Sequence, residues 1–274
     1  LRRRLVDINR RGDRVLFAVS RRSRRIARHV TLTATMERAL YADMARWLDK
    51  VAKEAARRIR AGHWQAAGAS VEVYAPALQR ALTGRLMAAG VASAELVAEE
   101  LTGAKAAGAL EAKFVSLIEV ARAAIRRWLA DYAAEKVRKI AETTRRIIRR
   151  AIVRGNEASE APREMAKRVV EATAGEIGKR RALTIARTET GIAAAVGSNA
   201  AADASGLDLD KEWAATEDHR TRPAHAEADG QTVDKDGLFI VGGEPMRFPK
   251  DPNASAGNVI SCRCVCLYIP RVPE

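Results

Sequence analysis

The texture of the chain changes at Lys211, and that change limits the fold more than any other feature. Up to residue 210, apolar residues recur at three- and four-residue steps among Ala and Arg, the pattern of helices with one buried face. From Lys211 to Cys266, Gly, Pro, Asp and Asn fall every few residues. All three cysteines and two of the four histidines lie in that stretch. Gly and Pro impose unusual or fixed φ values, so dense punctuation around short apolar runs spells turns and short strands. Strand-length runs fall at Lys211–Thr216, Leu238–Val241, Met246–Phe248 and Cys262–Ile269. The expected fold is mainly α. A basic arm (1–30) precedes long antiparallel helices (31–206), and a small C-terminal α+β module with short strands (207–274) follows.

The helical part divides by its own punctuation. Met36, Leu40, Met44, Trp47, Leu48, Val51, Ala55 and Ile59 mark an amphipathic helix from Thr33 to Arg60, closed by Ala61-Gly62. Ala66–Ser70 reads as a small-residue linker. A second pattern runs through Tyr74, Leu78, Leu82 and Leu86, breaks at Gly90, resumes at Leu96–Leu101 and closes at Thr102-Gly103. Val115, Ile118, Ala121, Ile125, Trp128 (with Leu129), Tyr132, Lys136, Ile140, Thr144, Ile147 and Ala151 then follow a spacing near 3.5. That predicts a coiled-coil-like helix of about 55–60 Å, ended by Gly155-Asn156. Pro162 opens a short helix reaching about Ala172, and Glu176–Ala204 is the last, with Gly206 as its C-cap.

The net charge of +14 favours an acidic polymer or surface as partner. Arg2, Arg3, Arg4, Arg22 and Arg25 in the arm, with Arg145, Arg146, Arg149 and Arg150 on the long helix, are the candidate contacts to nucleic acid or protein. A merely solvated tail and wet helix face is the competing reading. Aromatics are only 4% of the chain, which disfavours a reader of single strands by stacking. No stretch approaches the roughly 20 apolar residues that span a bilayer, and no membrane partner is expected. Three cysteines confined to 262–266 are no disulfide framework and fit a reducing cytosol.

The segments DHRTRPAH (218–225), DGQ (229–231), LFIV (238–241), FPKDP (248–252) and CRC (262–264) occur in an order that resembles the C-terminal domain of the phage Mu F-like minor head proteins, also called phage head-morphogenesis proteins. RALTIARTETGIAAAVGSNAAADASGL (181–207) is similar to the helix that precedes that domain. The resemblance marks Arg187, Glu189, Asp218, Arg220, Arg222, Asp229, Gly230, Pro249 and Asp251 as motif residues. It implies a minor, capsid-associated protein inside a virion head near the portal, made in the host cytoplasm, assisting assembly or DNA packaging and delivery. The partners implied are portal protein, major capsid or scaffold protein, and double-stranded DNA. A nuclease- or toxin-type enzyme module and a non-specific DNA-binding protein are the alternatives.

Two groups of residues pose chemical questions. Arg187 and Glu189 lie about 200° apart around a helix and cannot simply pair, so each needs a partner elsewhere. Clamping their helix onto the C-terminal module is favoured over catalysis, and no catalytic residue is assigned. Cys262 and Cys264, two apart on an expected strand, would share a face, with Cys266 on that face beyond them. With His225 as third ligand and His219 or Asp218 as fourth, they could hold a structural zinc ion. Buried thiols with His225 bonded to a backbone carbonyl form the alternative, and a strained Cys262–Cys264 disulfide a further one.

Overall fold

Five helices take up the periodic part of the chain in the computed structural model, which describes residues 21–102, 109–216 and 218–271, with the backbone alone for 109–113. They are α1 (Arg21–Arg60), α2 (Ser70–Thr102), α3 (Ala109–Glu157), α4 (Pro162–Ala174) and α5 (Glu176–Ala204). Arg2, Arg3 and Arg4 fall outside the described residues. The C-terminal part holds β1 (Leu209–Ala214), α6 (Pro223–Glu227), β2 (Thr232–Asp234), β3 (Phe239–Val241), β4 (Glu244–Met246), α7 (Ala256–Val259) and β5 (Val265–Pro270). The expected class, mainly α with a small α+β module, is the observed one.

Helix α1 starts at Arg21, twelve residues before the apolar periodicity begins at Thr33. Its first turns are held by ion pairs. Arg22 meets Glu212 and Asp229, while Arg25 meets Glu100 and the carbonyl of Tyr268. Residues 21–30 are therefore helical, and Arg22 and Arg25 are engaged within the protein. Ile26 and Val30 add apolar contact to Ala214, Val265 and Leu267 of the sheet.

The break expected at Gly90 does not occur, since α2 runs unbroken from Ser70 to Thr102, and the expected linker is a 3₁₀ turn at 64–69. Gly90 is a contact rather than a terminus. A Cβ on Gly197 of α5 would stand 2.0 Å from the Gly90 carbonyl oxygen, so the two backbones touch. Contrary to the expectation that no stretch approaches a bilayer-spanning run, α2 with the turn before it (Trp64–Thr102) is long and apolar enough to cross a membrane, alone in this among the described residues. Its Leu78, Leu82, Leu86 and Val97 are buried, and it packs along α1, α3 and α5, so it is a core helix.

Helix α3 is longer than expected, 49 residues or about 74 Å. Its buried stripe is also displaced. Ile118, Ala121 and Ile125 are followed by Leu129, Ala133, Val137, Ile140, Thr144, Ile148 and Ala151. The expected Tyr132, Lys136 and Ile147 each lie one residue earlier, and Val115 is exposed. Four-residue steps dominate, so the period is close to 3.7, that of a nearly straight helix rather than a left-handed coil.

In the module, β1 is the central strand of an antiparallel sheet ordered β2-β1-β5, with Trp213 opposite Cys266. Strands β3 and β4 form a hairpin across Gly242 and Gly243, both with positive φ as a two-residue type I′ turn demands. That tight turn places β4 at Glu244–Met246, two residues before the run expected at Met246–Phe248. One buried core runs without a gap from Leu40 of α1 to Tyr268 of β5.

Replacing Gly197 by Ala should lower stability by about 1–3 kcal/mol, because the added carbon meets backbone that cannot rotate away. That exceeds the ~1 kcal/mol of helix propensity Ala would gain. Gly84 of α2 has nothing within 4 Å of its Cβ position, so Gly84→Ala should hold or raise the urea midpoint while Gly197→Ala lowers it.

Candidate metal centre

Strand β1 ends at Ala214, and a turn capped by Asp218 leads into α6. The Asp218 carboxylate accepts from the Arg220 N–H and grips the guanidinium of Arg263 through both oxygens. That ion pair holds the carboxyl well below its usual range. Pro223 takes the first helical position of α6, where its missing N–H costs nothing, and Arg222 donates to the Ile260 carbonyl at 2.5 Å. One turn later His225 points inward and is 1% exposed.

Cys262 and Cys264 approach from the other side. They lie in the turn before β5, not on a strand as expected, with Ser261 at φ +56 bending the chain. The Nδ1 of His225 is 3.6 Å from the Cys262 sulfur and 3.5 Å from the Cys264 sulfur. These three side chains form a buried group whose ligand atoms lie within 4.8 Å of one another and could hold a metal ion. Cys266 is not part of it. It lies on β5, where burial pushes its thiol up to about 12. His219 is exposed, and Asp218 is committed to Arg263, so neither expected fourth ligand joins the group.

Five residues that the sequence did not single out surround the group. Asn258 Oδ1 is 3.2 Å from His225 Nε2, and its amide nitrogen donates to Glu244 at 2.6 Å. Ser255 also donates to Glu244, which lies below the ordinary carboxylate range for that reason first and for Asn258 second. Trp213 sits edge-on to His225 at 5.5 Å, and its buried indole N–H finds no oxygen or nitrogen acceptor and faces the Cys264 sulfur. Lys250, in the FPKDP segment at φ +68, is buried and donates to the Cys264 carbonyl at 2.6 Å. A hydrogen bond from Cys264 lowers the Cys262 thiol against the opposing effect of burial, and His225 and Lys250 add to that. Cys264 moves upward in return.

The remaining motif residues hold the frame. Arg187 forks onto Glu37 of α1 at 2.9–3.2 Å. Glu189 takes the Tyr132 hydroxyl at 2.5 Å and Lys136 at 3.2 Å, both on α3. These two residues clamp α5 to other helices, while Thr188 between them accepts from the Ser261 N–H at 3.0 Å and reaches the module. Asp229 receives Ala215 N–H and Arg22, Gly230 turns at φ +80, and Pro249 is buried. Asp251, 4% exposed, accepts from the backbone N–H groups of Arg247 and Asn253 and from the Arg247 side chain.

On the long helix, Arg145 is paired with Glu72 and Arg146 is bonded to Thr143. Arg126, Arg127, Arg149 and Arg150 are exposed and have no carboxylate partner among the described residues.

Burial pulls the Asp251 carboxyl upward, but Arg247 and the two backbone donors outweigh it and hold it below the usual value. A depressed native pKa contributes stability above about pH 4, which is lost as pH falls through the native value. Asp251→Ala should therefore cost about 1–3 kcal/mol at neutral pH. In denaturant titrations at a series of pH values, the variant should also lose less on acidification than the parent.

The family described as "Phage Mu protein F like protein" matches residues 142–267, from the last turns of α3 through the cysteines to β5. Over 109 residues the chain is 33% identical to the NAD(+)–arginine ADP-ribosyltransferase EFV of Enterococcus faecalis. That alignment covers 39% of this chain and 22% of the Enterococcus protein, so the chain spans about a fifth of that relative's length. No solved structure matches.

Proposed function

We propose, from the match of residues 142–267 to the phage Mu protein F-like family, that this chain is a minor head protein of a tailed phage or phage-like particle. In this reading it sits inside the head near the portal, having been made in the host cytoplasm, and assists head assembly and DNA packaging or delivery. Its partners are portal protein and major capsid or scaffold protein. The family match carries the reading. The chemistry of the site agrees with a binding role, because the Cys262–His225 pair is closed off at 3% and 1% exposure. A nucleophile of a nuclease- or toxin-type enzyme must instead meet its substrate. The transferase activity named for the Enterococcus relative belongs to a much longer protein.

Purified particles should contain this chain at low copy beside portal and capsid proteins. Mass spectrometry that finds those two and none of this chain would overturn the assignment.

We also propose contact with DNA through Arg126, Arg127, Arg149 and Arg150, four of the exposed arginines of α3. Phosphates are their natural counter-charges, and such binding reads no sequence. If each meets one phosphate, the log–log salt slope should be about −3.6, at about −0.9 per contact. Arg149→Ala with Arg150→Ala should bring the slope to about half that value on any DNA sequence. A protein that ignores duplex DNA at low salt uses these arginines to dock on portal, capsid or scaffold instead.

A further inference from the structure

We propose that His225, Cys262 and Cys264 bind one zinc ion, His225 through Nδ1 and the cysteines as thiolates, with a water or hydroxide as fourth ligand. The orientation of the histidine is the first argument. Glu244 is held as a carboxylate by Ser255 and takes the NH₂ group of Asn258. The Asn258 carbonyl oxygen therefore faces His225 Nε2, which must be the N–H of the ring. Nδ1 is left with its lone pair directed at the two sulfurs. A histidine whose far nitrogen is fixed in this way is the usual support of a metal ligand.

Distance is the second argument. Zinc bonds of about 2.3 Å to sulfur and 2.0–2.1 Å to nitrogen, at a tetrahedral angle, set sulfur and nitrogen about 3.6 Å apart. The observed separations are 3.6 and 3.5 Å. Without an ion, two thiols converge on a lone pair that can accept from only one of them, whereas an ion uses all three donors. The Trp213 N–H faces Cys264 with no other acceptor, and the buried Lys250 ammonium lies close by. Two thiolates neutralise a divalent ion, and soft sulfur with imidazole selects zinc over magnesium or calcium. No further His, Cys, Asp or Glu among the described residues joins the group, which leaves one position for an enclosed water. A cavity of about 50 Å³ beside Cys262, lined also by Glu37, Arg187, Lys250 and Arg263, has room for that water.

The test uses the full chain, purified without chelator and also loaded with zinc or cobalt(II). One zinc per chain should survive gel filtration, and the cobalt form should show thiolate-to-metal charge-transfer absorption. Cys262→Ser and Cys264→Ser should lose both signals, and Cys266→Ser should keep them. Because the first two variants can fail to fold, Asn258→Ala provides a milder probe. It touches no metal, and its zinc affinity in chelator competition should fall about 10- to 100-fold. Folded parent protein that retains well under one zinc per chain after loading would overturn the proposal. So would a Cys262–Cys264 disulfide, read as a single free thiol per unfolded chain, or an Asn258→Ala variant with unchanged affinity.

Discussion

The backbone contact between Gly90 and Gly197 sets the distance on which the rest of the structure depends. With α2 and α5 in touch, the small residues of α5 become its packing surface, and Ala186, Ala193, Ser198 and Ala201 are buried along it. A helix sunk this deeply presents each successive residue to a different neighbour, because residues turn by 100° per step. Arg187 therefore finds Glu37 on α1, Thr188 finds the Ser261 N–H, and Glu189 finds Tyr132 and Lys136 on α3. One turn further on, the place of a Cβ on Gly191 is taken by the Lys250 side chain, 2.6 Å away. The Arg-Thr-Glu run is thus a junction of three directions. Its side chains are fixed by these partners.

Charge is arranged by the same logic. Some inward-facing cations are matched by carboxylates, Arg22 by Glu212 and Asp229, Arg25 by Glu100 of α2 and Arg187 by Glu37 of α1, while the buried Lys211 and Lys250 donate to backbone carbonyls. Half-buried pairs of this kind are costly to break from one side, since the remaining charge is left partly desolvated. Pairs such as Lys179 with Glu176 are exposed and contribute little. The positive excess that could act on a partner collects where no carboxylate among the described residues answers it, including the outer face of α3 at Arg126, Arg127, Arg149 and Arg150. A large net charge alone does not say which arginines are available. The pairing does.

Local rules read much of this chain correctly, and they misread it where tertiary contact decides. The bounds of α5 follow from its texture and from Gly206, whose positive φ ends it. Gly90 was misread because a glycine looks the same in sequence whether it breaks a helix or lets another backbone approach. The start of α1 was hidden because charged residues at 21–28 obscure amphipathicity, and their partners lie 70 to 240 residues away. The stripe of α3 slipped by one residue at Tyr132 because its ring outranks Ala133 as an apolar signal, although the smaller residue faces the core. His225, Cys262 and Cys264 were legible as a set. Their supports were not, since Asn258 and Glu244 matter only through a chain of hydrogen bonds that no spacing rule anticipates.

The order of the motif letters has a physical reading in how two segments join. Residues 218–225 lie along 260–264 through three kinds of contact in sequence. Asp218 grips Arg263, the Arg222 guanidinium meets the Ile260 carbonyl, and His225 meets Cys262 and Cys264. In the run Cys-Arg-Cys the flanking residues send sulfur inward while Arg263 reaches Asp218 at the half-exposed rim. The outer ion pair fixes where the loop begins, Pro223 fixes where α6 begins, and together they fix the one position at which a histidine can reach both sulfurs. Moving His225 by one residue would turn its ring about 100° away from them. The spacing of these letters therefore expresses a geometric requirement of the junction, and the inward-facing His–Cys–Cys group is what that junction assembles.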